Sequence, residues 1–291
     1  MELPLVVGVD GSEPSLRAVD WAADEAVLRD LPLRLVYASL WERYEGTSLA
    51  DGLGQPPEQV MAEDIVETAA RRVRTRRPDV KVTLDVLPEE PEYALVRESR
   101  TAAAMVLGSR GRSSLAEALL GSVSVTVAGH AHCPVIVLRG SHDNRAVPGR
   151  HGRIVVGVGE EPVDAAAMHF AAEEARRRGV PLEAVRAWRC PAHETADHPL
   201  PTGEPARLHE ERAAAMLEVA LRDVPADVEV RRRTVEGHAR QVLLGASADA
   251  DLLVVGARRR EGHHGLQQLG RVAHAVLHRA VCPVAVVPQR G

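Results

Sequence analysis

Lysine is almost absent from this sequence: Lys81 is the only one, so nearly all of the positive charge is arginine. A Walker-type phosphate loop needs a lysine within its glycine-rich turn. Because Lys81 falls in a predicted strand, P-loop chemistry is excluded. Two further enzyme signatures are missing, since there is no Gly-x-Ser-x-Gly elbow and no Gly-x-Gly-x-x-Gly after the first strand.

Cysteine is scarce, and long apolar runs are lacking. Cys133, Cys190 and Cys282 are too few and too scattered for a disulfide framework. No apolar run approaches the roughly 18 residues that span a membrane, and Met1 leads into a strand-like stretch without a leader pattern. We therefore expect a reduced, cytoplasmic protein that has no membrane partner.

Positive charge is not in excess either, because the formal net charge is -5. Nucleic acids select clustered positive charge, so they are not expected as partners. The chain has 291 residues, of which 45% are hydrophobic and 26% charged, which is typical of globular domains. This length is sufficient for two domains that each bury a core.

The sequence contains an internal repeat. Cys133-Pro134-Val135 and Cys282-Pro283-Val284 lie 149 residues apart, and the same offset carries Gly121 onto Gly270. It also carries the apolar run at residues 5–9 onto the run at 154–158. One offset that holds at three distant places indicates duplication. We expect one domain over residues 1–140 and a second over residues 151–291, joined by a linker without hydrophobic periodicity.

Each half alternates short apolar runs with longer helical patterns. Apolar strands without alternation are typical of parallel sheets covered by helices on both faces. The fold class is therefore predicted as α/β, with two tandem doubly wound five-stranded parallel sheets of Rossmann-like type. The strand predictions are 5–9, 33–38, 80–87, 105–108 and 135–138 in the first half, and 154–158, 182–187, 228–235, 252–256 and 284–287 in the second.

Candidate ligand residues follow the strands of the first half. Open parallel sheets bind ligands beyond the carboxyl ends of their strands. Asp10 follows the first strand, and its carboxylate is suited to accept hydrogen bonds from ribose hydroxyls. Gly108 and Gly111 follow the fourth strand, and Gly121-Ser122 begins a helix whose N–H groups and dipole favour anions. Arg110 and Arg112 add positive charge.

The spacing Gly108-x2-Gly111-x9-Gly121-Ser122, with Val123 and the Cys133-Pro134-Val135 strand, resembles the ATP-binding signature of the universal stress protein family. Asp10 and Ala38 also match. The resemblance covers essentially the whole chain and implies strand order 3-2-1-4-5 and ATP with Mg²⁺ or Mn²⁺. It assigns the ribose to Asp10 and the adenine to the Ala38 backbone. The phosphates fall to Gly108, Gly111, Gly121, Ser122 and Val123.

The second half departs from this signature. Asp10 is matched by Gly159 and Ser122 by Arg271, and the spacing between the glycines is longer by one residue. We therefore expect no nucleotide in the second domain, with a different anion held by Arg258 to Arg260 and Arg271 as the alternative. His274 and His278 share a helix face, but no third metal ligand is evident. No metal site is predicted.

The expected function is ATP binding with a regulatory role and little or no turnover. Two alternatives stay open. One is a slow ATPase or autophosphorylating enzyme with Ser122 as acceptor, although no base for water is evident near the glycine loop. The other is a ligand-free dimerisation module.

The fifth strand is an edge in the implied strand order, so we expect the two fifth strands to pair within the chain. A homodimer of chains is a further alternative.

Overall fold

The computed structural model describes residues 2–40, 57–109, 120–139, 151–159, 165–189, 204–257 and 269–289. Ten strands lie in this part of the chain. They are β1 (Leu5–Gly8), β2 (Leu33–Ala38), β3 (Val82–Leu87), β4 (Ala104–Gly108), β5 (Val135–Leu138), β6 (Ile154–Gly157), β7 (Leu182–Trp188), β8 (Val230–Glu236), β9 (Leu252–Ala257) and β10 (Val284–Pro288). The helices are α1 (Glu13–Arg29), α2 (Pro57–Arg76), α3 (Pro91–Glu98), α4 (Ser122–His130), α5 (Ala165–Arg178), α6 (Glu204–Ala220), α7 (Ala239–Ser247) and α8 (Arg271–Arg279).

The strands form one sheet in the order β3-β2-β1-β4-β5-β10-β9-β6-β7-β8. The first half has the order 3-2-1-4-5, and the second repeats it in mirror sequence along the sheet. All pairs within each half are parallel. The predicted α/β class and doubly wound strand order are confirmed.

Helices cover both faces of the sheet, which explains the unalternated apolar strands. Alternate residues of one strand point to opposite faces. Val7 therefore packs in the core layer under α1 and α2, whereas Val6 packs under the opposite layer with α3 and α4. The second half repeats this with Val156 and Val155. Each layer runs through both halves.

The two fifth strands pair with each other in antiparallel register. Val284 lies opposite Val137, Ala285 opposite Ile136, and Val286 opposite Val135. All these side chains are buried. The pairing removes both exposed edges that the implied strand order would otherwise leave in the middle of the molecule, as we expected.

A buried ionic cluster joins the two halves beside this pairing. Glu25 and Arg29 of α1 face Glu174 and Arg178 of α5, and each pair forms an i,i+4 ion pair within its own helix. Between the helices, Arg29 Nη2 lies 2.6 Å from Glu174 Oε1, and Arg178 Nη2 lies 2.5 Å from Glu25 Oε2. Both carboxylates are fully buried. Removing one partner would leave a buried charge without compensation, which costs about 3–5 kcal/mol.

The two carboxyl groups of the cluster differ in their pKa values. Burial and the nearby charge of Glu25 raise the pKa of Glu174 to about 7. Burial also opposes ionisation of Glu25, but Arg178 and Arg29 outweigh it and lower the pKa of Glu25. Such a pair titrates as a unit. The cluster therefore holds one proton up to near-neutral pH.

Candidate functional site

Three of the predicted site residues converge at one edge of the sheet. Asp10 follows β1, Ala38 ends β2 and Gly108 ends β4, and these strands are neighbours in the order β2-β1-β4. After β1 the chain turns towards one face of the sheet, which α1 covers. After β4 it turns towards the opposite face, which α4 covers. Such a switch point is where open α/β sheets bind ligands.

The turn after β1 fixes the Asp10 carboxylate. Asp10 Oδ1 accepts hydrogen bonds from the Ser12 N–H at 3.0 Å and from the Ser12 hydroxyl at 2.6 Å. Ser12 is also the N-cap of α1. Gly11 between them has φ +79°, a left-handed conformation that favours glycine. The side chain of Asp10 is thereby oriented before any ligand arrives.

Gly108 allows the start of α1 to approach the end of β4. A Cβ atom at this position would lie 2.7 Å from the carbonyl carbon of Pro14 and 2.9 Å from the Ser15 nitrogen. Both are backbone atoms, so a side chain here would displace α1. Gly108 therefore has a structural role that the sequence prediction did not assign to it.

The start of α4 is tied to the end of β4. The Gly121 N–H donates to the Ser109 carbonyl at 2.9 Å. The Ser124 hydroxyl, which is buried, donates to the Gly108 carbonyl at 2.8 Å. These bonds bring Gly121, Ser122 and Val123 close to Gly108, as the predicted loop requires. Ser124 escaped the sequence analysis, because its partner lies sixteen residues earlier.

The first turn of α4 presents its backbone at this edge. Gly121 is the N-cap with φ -66° and ψ 147°, and α4 starts at Ser122. First-turn N–H groups lack acceptors within a helix, and the helix dipole favours an anion there. The φ of Gly121 is negative. Side-chain bulk, rather than a left-handed backbone, would therefore explain any need for glycine.

A carboxylate lies beside this helix start, contrary to the expectation that no base is near the loop. Ser122 Oγ donates to Glu92 Oε1 of α3 at 3.2 Å. Like-charge repulsion would oppose a phosphate close to Glu92 unless a cation lies between them. Packing of α3 beside α4 brings the two residues together, which no local motif reveals.

Arg110, Gly111 and Arg112 lie outside the described residues.

The second domain keeps the scaffold of this site without its polar groups. Gly159 follows β6 and Arg271 begins α8, with Gly270 as its N-cap at φ -59°. The residue at the offset of Ser124 is Ala273, which has no hydroxyl to bind the end of β9. A Cβ atom at Gly270 would meet nothing within 4 Å. Arg258 to Arg260 fall outside the described part of the chain.

Four further side chains that the sequence singled out, Cys133, Cys282, His274 and His278, lie in the described part of the chain. Both cysteines are buried, and burial raises the pKa of the Cys133 and Cys282 thiols to about 12, which favours the protonated thiol. The His274 and His278 rings lie 4.3 Å apart. Among the described residues, no group of three or more His, Cys, Asp or Glu side chains could hold a metal ion. Among the helices of the described ranges, none has an apolar stretch that would span a lipid bilayer.

The model of the "Universal stress protein family" matches this chain twice, over residues 3–139 and 151–288. The chain belongs to this family. Among its relatives, a universal stress protein of Mycobacterium tuberculosis strain H37Rv is 33% identical, with 98% of this chain and 97% of the relative covered. Another universal stress protein from the same strain is 34% identical, and the match covers 99% of this chain and 96% of that relative.

Solved structures agree on the fold of this universal stress protein. The crystal structure of a universal stress protein from Archaeoglobus fulgidus has a TM-score of 0.66. Its sequence is 18% identical, and the superposition covers 99% of this chain and 98% of the Archaeoglobus chain. The likeness extends through both halves, which supports one architecture for the whole tandem arrangement.

Proposed function

We propose that the first domain, residues 1–140, binds one ATP together with Mg²⁺ or Mn²⁺, and that the protein acts as a nucleotide-responsive regulator with little turnover. The second domain, residues 151–291, keeps the fold without binding nucleotide. In this proposal Asp10 accepts hydrogen bonds from the ribose and the Ala38 backbone binds the adenine. The phosphates lie on Gly108, Arg110, Gly111, Gly121, Ser122 and Val123.

The observation that carries this proposal is the pair of hydrogen bonds between the end of β4 and the start of α4. The bonds from Gly121 and Ser124 hold the helix N-terminus near the Asp10 carboxylate. A preformed site of this kind loses less entropy on binding than a mobile one. Family membership and the spacing of the glycines support the same ligand.

One observation favours a slow enzyme as the second candidate. Glu92 accepts a hydrogen bond from Ser122 and could take the hydroxyl proton while Ser122 Oγ attacks the γ-phosphorus of ATP. The bond from phosphorus to the bridging oxygen would break, and ADP would leave. Mass spectrometry of the protein after incubation with ATP and Mg²⁺ detects the phosphoserine. Without it, and without released phosphate, the regulatory reading stands.

Calorimetry on the full chain tests the proposed site. We expect one ATP per chain, and a several-fold weaker affinity in Ser124→Ala, because the helix start is then no longer fixed to β4. Ala273→Gly provides the control at the equivalent position of the second domain. Two equivalent ATP sites per chain, or identical affinities in Ser124→Ala and the wild type, would refute the assignment.

The cytoplasmic location and a homodimer stay predictions.

A further inference from the structure

A cavity of about 270 Å³ lies between α5 and α6 of the second domain. It begins beside Val158 and Gly159 at the end of β6 and follows the two helices. Alanine, valine and methionine side chains form most of its wall. The polar side chains among the described residues that line it are Asp223 and His169. Apolar walls with a few polar groups are typical of small-molecule sites.

The corresponding groove of the first domain, between α1 and α2, is crossed by ion pairs. Arg72 of α2 donates two hydrogen bonds to the Asp20 carboxylate of α1, at 2.7 and 2.6 Å. One turn further along, Arg76 binds Asp24 at 3.1 and 2.7 Å. The Asp24 carboxylate is fully buried. Arginine side chains therefore occupy the space between these two helices.

The strands that follow α2 and α6 show how the two helices align. Val82 begins β3 and Val230 begins β8, and each lies opposite the first residue of the neighbouring strand, β2 or β7. These two valines lie 148 residues apart. Near the C-terminal ends of the helices, the same offset carries the buried Val73 onto the buried Leu221. It therefore applies to the helices as well.

The second domain has lost both arginines of the groove. At this offset Ala220 stands in place of Arg72, and Val224 in place of Arg76. Both of these shorter side chains line the cavity. The acceptor on the facing helix has changed too, since the offset of 149 places His169 where α1 carries the partner of Arg72. The ion pairs that cross the first groove thus have no equivalent here.

Two changes on α5 remove further side chains from the groove. Ala165 lines the cavity at the position of Leu16, whose longer side chain packs against the core of the first domain. Glu173 stands at the position of Asp24, but it binds arginines of its own helix at 2.9 and 3.1 Å. The second domain therefore keeps the helices of this groove without the side chains that fill it.

Asp223 gives the rim of this cavity a negative charge. In the described part of the chain it forms no hydrogen bond or ion pair, and its counterpart in α2 is the neutral Thr75. No lysine or arginine is among the described lining residues. A carboxylate at the mouth of an apolar cavity attracts a positively charged group and repels a negatively charged one. Apolar walls and this carboxylate together fit a cation with an apolar body.

We propose that this cavity binds a small organic cation, an amine or guanidine with a body the size of a phenyl ring, independently of the ATP site. The body packs against Met168 and Met216, whose thioethers favour aromatic rings. The charged head pairs with Asp223. Arg72 combines the same two parts in the equivalent groove of the first domain. An apolar cavity of roughly 150 Å³ holds benzene, so this one has room for a ring with a short amine chain.

Methionine-methyl NMR of the full chain, titrated with phenethylamine, tests this proposal. Met168 and Met216 line the cavity, whereas Met105 is buried in the opposite layer of the sheet. We expect saturable shifts of the first two methyl signals, assigned through Met168→Leu and Met216→Leu, and none for the third. Phenylethanol and phenylacetate are similar in size and separate the contribution of charge. The amine should bind about threefold more tightly than the alcohol, and phenylacetate should bind least.

Rebuilding the ion pair of the first domain should close the cavity. His169→Asp with Ala220→Arg restores both groups, and the phenethylamine affinity should fall at least about tenfold, because the probe and the arginine cannot share one space. Ala165→Leu refills the end near β6 and should give a similar loss. Ala214→Arg, at an exposed position of α6 outside the cavity, is the matched control. All of these variants should keep the ATP affinity and the thermal unfolding transition of the wild type.

The charge of the head group has its own pair of variants. Asp223→Asn should remove the preference for the amine over the alcohol, and Asp227→Asn, exposed and outside the cavity, should keep it. The proposal is wrong if neither methionine signal shifts, if the closed variants bind phenethylamine as Ala214→Arg does, or if phenylacetate binds most tightly. Competition between phenethylamine and ATP would also contradict it, by placing the probe in the nucleotide site, and would leave the ATP proposal standing.

Discussion

In the first domain, Asp10 follows β1, Gly108 ends β4 and Ser124 lies in the first turn of α4, and all three take part in hydrogen bonds that order this edge of the sheet. In the second, the offset places Gly159 and Ala273 at the positions of Asp10 and Ser124, and Gly256 pairs with β10 as Gly108 pairs with β5. The buried strand residues keep their apolar character. Duplicated domains can therefore diverge in the polar groups of this edge without loss of the core, because these groups contribute little to apolar burial. The second domain also carries Arg186 and Arg189 where the first domain has Tyr37 and Leu40.

Separating the two domains should have the largest effect and would show whether the first site needs the second domain. Val137→Glu with Val286→Glu places two charges in the buried β5–β10 pairing, where each costs several kcal/mol. We expect a loss of more than about 4 kcal/mol in the free energy of unfolding. Small-angle scattering and hydrogen exchange should show domains that no longer pair.

The control places the same charges at exposed sites, in Val60→Glu with Val281→Glu. This variant should remain compact. An unchanged particle and unchanged exchange protection in the strand variant would contradict the edge pairing. If the separated variant still binds ATP, the first site stands alone.

The ionic cluster predicts a pH dependence of stability that involves both halves. Because burial and Glu25 raise the folded-state pKa of Glu174 above its unfolded value, the folded state holds an extra proton between about pH 4.5 and 7. That contribution is fully present below the unfolded pKa. It is lost as pH rises through about 7, and the loss in the free energy of unfolding is on the order of 3 kcal/mol.

Urea unfolding at pH 5, 6, 7 and 8 measures this loss, and Glu174→Gln should flatten the profile. Glu173→Gln changes a neighbouring, partly exposed carboxylate outside the buried cluster and should leave the slope as it is. An equally steep profile in Glu174→Gln would show that the cluster holds no proton in this range. The lowered pKa of Glu25 acts in a separate window, since its stabilisation is lost only as pH falls below its ordinary range.

Gly121 and Gly270 allow the same substitution in both domains. Gly121→Val puts a branched side chain at the helix start proposed for the phosphates, and we expect a loss of ATP affinity of about tenfold or more. Gly270→Val should leave affinity unchanged, since a Cβ atom there meets nothing within 4 Å. Isothermal titration with thermal unfolding of both variants checks this. Equal affinities in two folded proteins would contradict the loop assignment.

The sequence predicted much of the fold, because apolar runs such as Leu33–Ala38 are buried on both faces and reveal themselves locally. The offset of 149 also located Gly121 and Gly270 correctly as helix N-caps. The ionic cluster could also have been predicted from the sequence, since the offset of 149 carries Glu25 onto Glu174 and Arg29 onto Arg178.

The rest of the site depends on contacts between distant elements. Glu92 meets Ser122 only because α3 packs beside α4, and Ser124 reaches Gly108 across a loop. A cavity at the carboxyl ends of β7 and β8 is lined by Arg186 of β7, Arg212 of α6 and His238, the N-cap of α7. No spacing rule relates residues of three separate elements, so only the folded chain brings these charges together.

The smallest expected effect concerns Glu92, whose counterpart in the alignment of α3 with α7 is Arg240. Its carboxylate lies beside the proposed phosphate site, so it should repel metal-free ATP. A half-buried pair of like charges costs about 1 kcal/mol, so Glu92→Gln should bind metal-free ATP a few-fold more tightly. With Mg²⁺ present this gain should shrink, because the cation already offsets the repulsion. Titrations with and without chelator measure both values, and Glu67→Gln on α2 is the remote control. A tenfold loss for Mg-ATP in Glu92→Gln, without any gain for metal-free ATP, would show instead that Glu92 holds the cation.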